Sequence, residues 1–251
     1  KYSRTFLIFI LFITTFLGYK AFSLKIDASS DTLVLENDKD LSYHQLLSKR
    51  YKTPDFLVIA FSPNDKLLSK ESRNTIKNIT NDLMSLEKVK SVNSILNVPL
   101  LESSNKSLAD ILEGVPLLED GVVNFLDAKE EFLNSPLYKN NLVSLDFKTT
   151  AILVNLNENL KLSETREKLK LLKQKIASKS ISEEELKVYH SLLIELRNTR
   201  DIERNIQASL INDTRNILNK YKSYGEIYLG GIPMIANDVV SFVKNDLKVF
   251  G

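Results

Sequence analysis

The residue types that could carry out chemistry are few in this chain, and they do not cluster along it. His44 and His190 are the two histidines among 251 residues, and neither has a second histidine or a carboxylate at metal-ligand spacing on a shared face. The chain has no cysteine, so thiolate metal sites, disulfides and cysteine nucleophiles are excluded. Each histidine is therefore expected to be solvated or partly buried, and we predict no catalytic residue and no metal site.

Three other patterns resemble chemical sites but have simpler explanations. Glu183–Glu185 follow Ser182, which predicts a serine-capped helix whose first turn carries negative charge that suits the helix dipole. Asp27 and Asp31 lie in a polar segment and are expected to be solvated rather than to bind a cation. Gly230–Gly231 precede a helical pattern, but no GxGxxG, no GKS or GKT and no adjacent lysine accompanies them. We therefore expect no cofactor and no enzymatic activity.

The composition is that of a folded protein with a core. Apolar residues make up 43% of the chain and charged residues 26%, which suits one large or two small domains. The 34 basic and 32 acidic residues leave a formal charge of +2, so no strong field points to nucleic acid as a partner. The chain begins at Lys1 and ends inside a helical pattern, so both ends look cut from something longer.

An uncharged apolar run, "TFLIFILFITTFLGY", extends from Thr5 to Tyr19. As a helix it would measure about 22 Å, against a hydrocarbon core of about 30 Å, and flanking residues could extend it. A first membrane helix over residues 1–23 is the favoured interpretation, with a cleaved signal peptide and a soluble helix as alternatives. Because Lys1 and Arg4 precede the run, we expect the N-terminus in the cytoplasm and the remainder outside.

The external part begins with a strand–helix–strand pattern. "DFLVIAF" (Asp55–Phe61) predicts a central strand buried on both faces. Ser69 is placed to cap a helix with apolar positions at three- and four-residue spacing. "VKSVNSI" (Val89–Ile95) alternates as a second strand, which completes a βαβ unit.

The sequence predicts a hairpin, helices and a last strand for the rest of the domain. "LVSLDFKTTAILVNL" (Leu142–Leu156) predicts two strands around a polar corner. From about 162 to 204 the charges are dense and of both signs, which favours a solvated helical arm over a charged binding face. A further helix over Asn205–Tyr221 and the strand "EIYLGG" follow. We predict a ferredoxin-like α+β domain over residues 24–232 with an inserted helical arm.

The last stretch predicts an amphipathic helix over residues 233–251. Val239, Val240, Val243 and Leu247 give it an apolar face. This face could lie on the surface of a membrane, or it could pack on the sheet as in an ordinary domain.

Four stretches together resemble the first membrane helix and first periplasmic loop of bacterial RND-superfamily exporters, in particular the MMPL-like and hopanoid-exporter-like branch. After the N-terminal run they are "LKIDASSDTLVLENDKDLSYHQLLSKRYKTPDFLVIAF", "VKSVNSILNVPLL", "NSPLYKNNLVSLDFKTTAILVNL" and "YLGGIPMIANDVVSFVKNDLKVFG". The arm at about 162–204 fits this pattern least well.

The resemblance implies a proton-driven transporter of the bacterial inner membrane, with most of this chain in the periplasm. Residues 233–251 would be the elbow that leads to the second membrane helix. The implied partners are the lipid bilayer, the rest of the same transporter chain and a lipid-like or amphiphilic substrate, with homo-oligomerisation left open. The family's proton-relay carboxylates lie in later membrane helices. A membrane-anchored periplasmic scaffold or binding domain without transport is the main alternative, and an anchored enzyme is a third.

Overall fold

The computed structural model of the protein describes residues 3–21, 43, 55–103, 114–121 and 123–250. Within these ranges the chain forms six α-helices and four strands. In chain order they are α1 (Ser3–Ala21), β1 (Phe56–Pro63), α2 (Lys70–Met84), β2 (Val89–Asn93), α3 (Phe125–Asn134), β3 (Thr150–Leu156), α4 (Leu160–Ala177), α5 (Glu183–Asn219), β4 (Gly225–Gly230) and α6 (Ile232–Phe250).

The four strands form one antiparallel sheet in the order β2-β3-β1-β4. β1 pairs with both β3 and β4, and β3 also pairs with β2, each time antiparallel. Strands β1 and β2 are therefore parallel to each other with β3 between them, and β3 and β4 are parallel with β1 between them. The predicted α+β class is confirmed, and the predicted βαβ unit is present with a strand inserted between its two strands.

The core lies on one face of this sheet. Leu57, Ile59 and Phe61 of β1 are completely buried, and the first two align with the buried Val154 and Ile152 of β3. Helix α2 and the end of α5 supply the helical side of the same core through Ile76, Ile79, Leu83, Leu210, Ile217 and Leu218. The central position predicted for β1 is confirmed. Its burial on both faces is wrong, because Val58 and Ala60 alternate with the core residues and are only half-buried.

Serine side chains cap the N-termini of helices α2 and α5. The Ser69 hydroxyl accepts a hydrogen bond from the Ser72 amide at 3.2 Å, and so begins α2. The Ser182 hydroxyl accepts from the Glu185 amide at 3.2 Å, while the Glu185 carboxylate accepts from the Ser182 amide at 3.1 Å. This capping box begins α5, so the structural role predicted for Glu183–Glu185 is confirmed.

The predicted hairpin at Leu142–Leu156 has only one regular strand, which is β3. The other arm is reduced to an isolated bridge between Val143 and Thr150, supported by the Ala151 amide donating to the Leu142 carbonyl at 2.8 Å. Asn140 and Phe147 both adopt positive φ, so the backbone turns too sharply there to continue a strand ladder.

The charged arm is an antiparallel pair of helices, α4 and α5. The sequence predicted a break near Asn205, but α5 is one continuous helix of 37 residues. Its outer half packs against α4, on which Thr165 and Leu169 are buried, and its inner half supplies Leu210 and Leu218 to the core. The predicted arm and the predicted Asn205–Tyr221 helix are therefore parts of one element.

Helix α1 covers the apolar run. Its side chains from Arg4 to Tyr19 are exposed, and apolar residues occupy all its sides. Judged by length, hydropathy and charge, no helix in the described ranges qualifies as a membrane span.

Candidate functional site

The face of the sheet opposite the core is accessible and largely apolar. Val58 lies beside Leu153, and Ala60 lies between Ala151 and Tyr228. The first four of these residues are half-buried, whereas the Tyr228 side chain is 64% exposed. Phe56, at the start of β1, is also exposed. A contiguous apolar surface of this kind usually marks a place where another molecule or domain binds.

One end of this open face leads into a cavity of about 500 Å³. Ala60 and Ala151 form its floor, and the turn over residues 140–149 forms its wall. The turn is held in shape by Ser144, whose hydroxyl donates to Asp146 Oδ1 at 2.6 Å and accepts from the Thr149 amide at 3.0 Å. The Ser144 hydrogen bond lowers the pKa of the Asp146 carboxyl. The cavity is therefore an apolar recess with a polar rim.

Helix α6 starts where β4 ends, next to β1. Gly231 has φ +119°, and a Cβ there would lie 2.8 Å from the Phe56 carbonyl oxygen. Glycine is required at this position because no side chain fits and few residues adopt that backbone. The chain therefore changes direction sharply and brings the first half of α6 onto the domain.

The first half of α6 is fixed to the domain by packing and by an ion pair. Pro233 and Val240 are buried, and Met234 packs against the core. The Asp238 carboxylate accepts hydrogen bonds from Nη2 of Arg215 on α5 at 2.7 and 3.0 Å. Beyond Val240 the described side chains of α6 are all exposed, so the second half of the helix extends away from these contacts.

The opposite side of α6 carries a second apolar surface, which the sequence analysis missed. Ile232 and Ile235 are each 52% exposed, Phe242 is 67% exposed and Val249 is 66% exposed. With the half-buried Val239, these residues recur at three-, four- and seven-residue intervals and so form one stripe along the helix. We call this set the outer stripe. The helical repeat alone would have located it, had Ile235 and Phe242 been counted as apolar positions.

The four residues predicted to contact a membrane lie on a face between the domain and the outer stripe. Val240 is buried, Val239 is half-buried and Val243 is 37% exposed. The side chain of Leu247 lies outside the described part of the structure. Only Val239 of the four belongs to the outer stripe, and the contact of these four residues with a membrane stays a prediction.

The other candidate residues are dispersed. His190 is exposed on the arm beside Tyr189, and Glu185 forms an ion pair with Lys175. That pairing lowers the pKa of Glu185. His44, Asp27 and Asp31 lie outside the described residues. In the described ranges, no three histidine, aspartate or glutamate residues come close enough to hold a metal ion.

Glu131 is a buried carboxylate that the sequence analysis did not single out. Glu131 of α3 is 5% exposed and accepts hydrogen bonds from the Leu101 amide at 2.9 Å and the Ser103 amide at 2.8 Å. The Ser103 hydroxyl donates to it at 2.6 Å. Burial, reinforced by the nearby Glu131 charge, raises the pKa of Tyr138, whose hydroxyl donates to the Pro99 carbonyl. Glu131 thus positions the segment that follows β2.

No family model, no curated protein and no solved structure matches this chain. The functional argument therefore depends on the surfaces described above: the open sheet face, its recess and the outer stripe of α6.

Proposed function

We propose that the chain is part of a proton-driven exporter of the RND/MMPL type. In this proposal its external domain forms part of the path for a lipid-like or amphiphilic substrate. The observation that carries the proposal is that the domain has two exposed apolar surfaces, the open sheet face and the outer stripe. Strand β4 contributes to the first surface and helix α6 forms the second, and the single residue Gly231 joins these two elements.

The strand order supports a porter-like domain. The sheet has the strand order β2-β3-β1-β4, in which β3 lies between the parallel strands β1 and β2, and β1 lies between the parallel strands β3 and β4. This is the strand order of the ferredoxin-like fold, in which helices cover one side of an antiparallel sheet. The uncovered side of such a sheet is available to a neighbouring domain or to a substrate. Here that side presents Val58, Leu153 and Tyr228 and leads into an apolar recess, which suits the hydrocarbon part of an amphiphile.

The two terminal helices complete the proposal. Residues 1–23 act as the first membrane helix, and residues 233–251 form the elbow before the second. The bacterial inner membrane then holds both ends, and residues 24–232 lie in the periplasm. The outer stripe of α6 faces lipid or neighbouring membrane helices, while the buried Pro233 and Val240 pack the other side of α6 on the domain. The chain performs no catalytic step, and the proton pathway belongs to other parts of the transporter.

Photocrosslinking in the native membrane tests the proposed substrate path. A photoreactive amino acid replacing Tyr228, on the open sheet face, should capture a lipid or amphiphile in cells that express the full-length protein. The same amino acid replacing Lys173, an exposed residue of the arm, is the matched control and should capture none. Equal capture at both positions, or none at Tyr228, contradicts the proposal.

A second experiment separates transport from simple anchoring, since an anchored binding domain could use the same recess. Alkaline phosphatase fused after Gly251 should be active in the periplasm under both functions, so it tests the orientation, and the segment after Gly251 separates the two functions. The coding sequence that follows Gly251 should begin a long apolar segment if the chain belongs to an exporter. A stop codon at that point favours the anchored scaffold or binding domain.

A further inference from the structure

A groove distant in sequence from the open sheet face lies between α2 and the connection from α5 to β4. Its volume is about 440 Å³, within the range of about 300–1,000 Å³ typical of small-molecule sites. One wall is the flank of α2 and the other is a pair of tyrosines, Tyr221 and Tyr224. The proposed transport function uses none of these residues.

The α2 wall is polar and has unused hydrogen-bonding capacity. Lys70, Asn74 and Asn78 follow one another at four-residue spacing, and Glu71 and Thr75 form a parallel row beside them. Thr75 is only 4% exposed although it lines the groove. Among the described residues, no side-chain hydrogen-bond partner is found for Thr75, Asn74 or Asn78. The exposed carboxamides of Asn74 and Asn78 are therefore available to donate to and accept from a polar ligand that enters the groove.

The tyrosine wall is held in place by its own contacts. The two rings lie 6.4 Å apart at 44° to each other. The Tyr221 hydroxyl donates to Asp82 Oδ2 at 3.0 Å. Asn64 fixes the connection, since its amide donates to the Tyr224 carbonyl and its side chain to the Ser223 carbonyl, each at 3.0 Å. The aromatic surface is therefore positioned before any ligand arrives.

We infer that this groove binds a neutral sugar of one or two rings. Each carboxamide of Asn74 and Asn78 offers both an acceptor and donors, which match neighbouring hydroxyls that themselves donate and accept. The tyrosine rings offer flat apolar surfaces to the C–H face of a pyranose ring. Hydroxyls on one face of a ligand and C–H groups on the other are the distinguishing chemistry of a sugar, and the groove presents complementary walls to both.

The charges and the polarity of the groove disfavour other classes of ligand. Lys70 and Glu71 are adjacent and of opposite sign, so the site has no net attraction for an anion or a cation. An apolar ligand would desolvate Thr75 and both asparagines without replacing their hydrogen bonds with water. The open sheet face, in contrast, lacks this density of amides.

Saturation-transfer difference NMR on the 251-residue chain tests the inference, with maltose and N-acetylglucosamine as probes. We expect saturable binding of at least one probe, weakened about fivefold in Tyr224→Ala, which corresponds to the loss of about 1 kcal/mol that an aromatic contact supplies. Asn78→Ala, at an exposed position of α2, should weaken binding of the probe as well. Tyr228→Ala removes a tyrosine of the open sheet face that is 64% exposed, against 43% for Tyr224, and should leave sugar binding unchanged.

Absence of saturable binding for both probes overturns the inference, as does binding that survives both Tyr224→Ala and Asn78→Ala. Circular dichroism of each variant confirms that it is folded. Because the measurement needs no membrane and no transport, failure here leaves the exporter proposal untouched, and failure of lipid capture at Tyr228 leaves this inference untouched.

Discussion

Nη2 of Arg215 lies 2.7 and 3.0 Å from the two carboxylate oxygens of Asp238, and this contact joins α5 to α6. The side chains are 39% and 25% exposed, so the ion pair is partly screened by solvent. It nevertheless sits where the buried half of α6 gives way to the exposed half. The position of α6 on the domain therefore depends on one residue of the arm helix as well as on apolar packing.

Removing this ion pair should loosen α6 more than it destabilises the domain. We expect Arg215→Ala to lower the free energy of unfolding by about 1 kcal/mol or less, since the pair is partly exposed. Hydrogen exchange of the α6 amides should become faster. Lys161→Ala, which breaks the more exposed Lys161–Glu195 pair at 3.0 Å, is the control and should leave exchange in α6 unchanged. Equal effects of the two variants would contradict this role.

The two faces of β1 should respond differently to truncation. Ile59 is completely buried, so Ile59→Ala should lower the free energy of unfolding by about 2–5 kcal/mol. Its neighbour Val58 faces the open side and is half-buried, so Val58→Ala should cost about 1 kcal/mol or less. Urea denaturation measures both, through the midpoint at unchanged slope. A cost at Val58 as large as that at Ile59 would mean that the open face is covered.

Substitution of two adjacent glycines should have different effects on stability, because their backbone conformations differ. Gly231 has φ +119° and no room for a Cβ, so Gly231→Ala should destabilise the domain by about 1–3 kcal/mol. At Gly230 a Cβ would lie 3.8 Å from the Val58 carbonyl oxygen, an ordinary contact, so Gly230→Ala should change stability little. Thermal unfolding of both variants provides the comparison. Similar melting temperatures would show that the turn into α6 is not constrained.

Deprotonation of the Tyr221 hydroxyl should lower the free energy of unfolding at alkaline pH. Burial, aided by the hydrogen bond to Asp82, raises the pKa of Tyr221 to about 12, from an ordinary value of about 10. Because the folded state holds the proton more tightly, this stabilisation is complete below pH 10 and is lost as the pH rises toward 12. Solvent exposure keeps the effect small. The slope of stability against pH in this window should flatten in Tyr221→Phe, and an unchanged slope would assign it to another group.

Single cysteines should distinguish the two sides of α6, since the chain contains no cysteine of its own. A water-soluble maleimide should label Phe242→Cys quickly and Val240→Cys slowly in the chain without lipid, because Phe242 is 67% exposed and Val240 is buried. If the outer stripe contacts a membrane, lipid vesicles should slow labelling at Phe242 and leave an Asn245→Cys control fast. Protection of all three positions, or of none, would contradict the proposed orientation.

The features that could be predicted from sequence are those set by local chemistry. Ser69 and Ser182 begin helices because a serine hydroxyl caps the following amides wherever an apolar periodic run follows it. The strands β1, β2 and β4 follow from short apolar runs. The α+β class, and a strand order compatible with the predicted domain, required nothing beyond the sequence of these elements.

The errors all concern tertiary contacts. A continuous apolar run cannot show whether one face or both are covered, so Val58 was expected to be buried. The first arm of the hairpin is lost because Asn140 and Phe147 adopt positive φ, which neither residue type requires. In α6 both sides are apolar, and the side that meets the domain is chosen by Gly231 and by the Arg215–Asp238 contact, neither of which the hydrophobic repeat reveals.

The unbroken length of α5 has a mechanical consequence. Its 37 residues make a rod of about 55 Å, at about 1.5 Å per residue. The outer end, near Ser182, is joined to α4 by the Lys175–Glu185 ion pair, whereas the inner end carries Leu210, Leu218 and Arg215. A load applied at the tip is therefore delivered with leverage to the core and, through Arg215, to the helix that leaves the domain. In this way the arm is a lever that acts on the core and on α6.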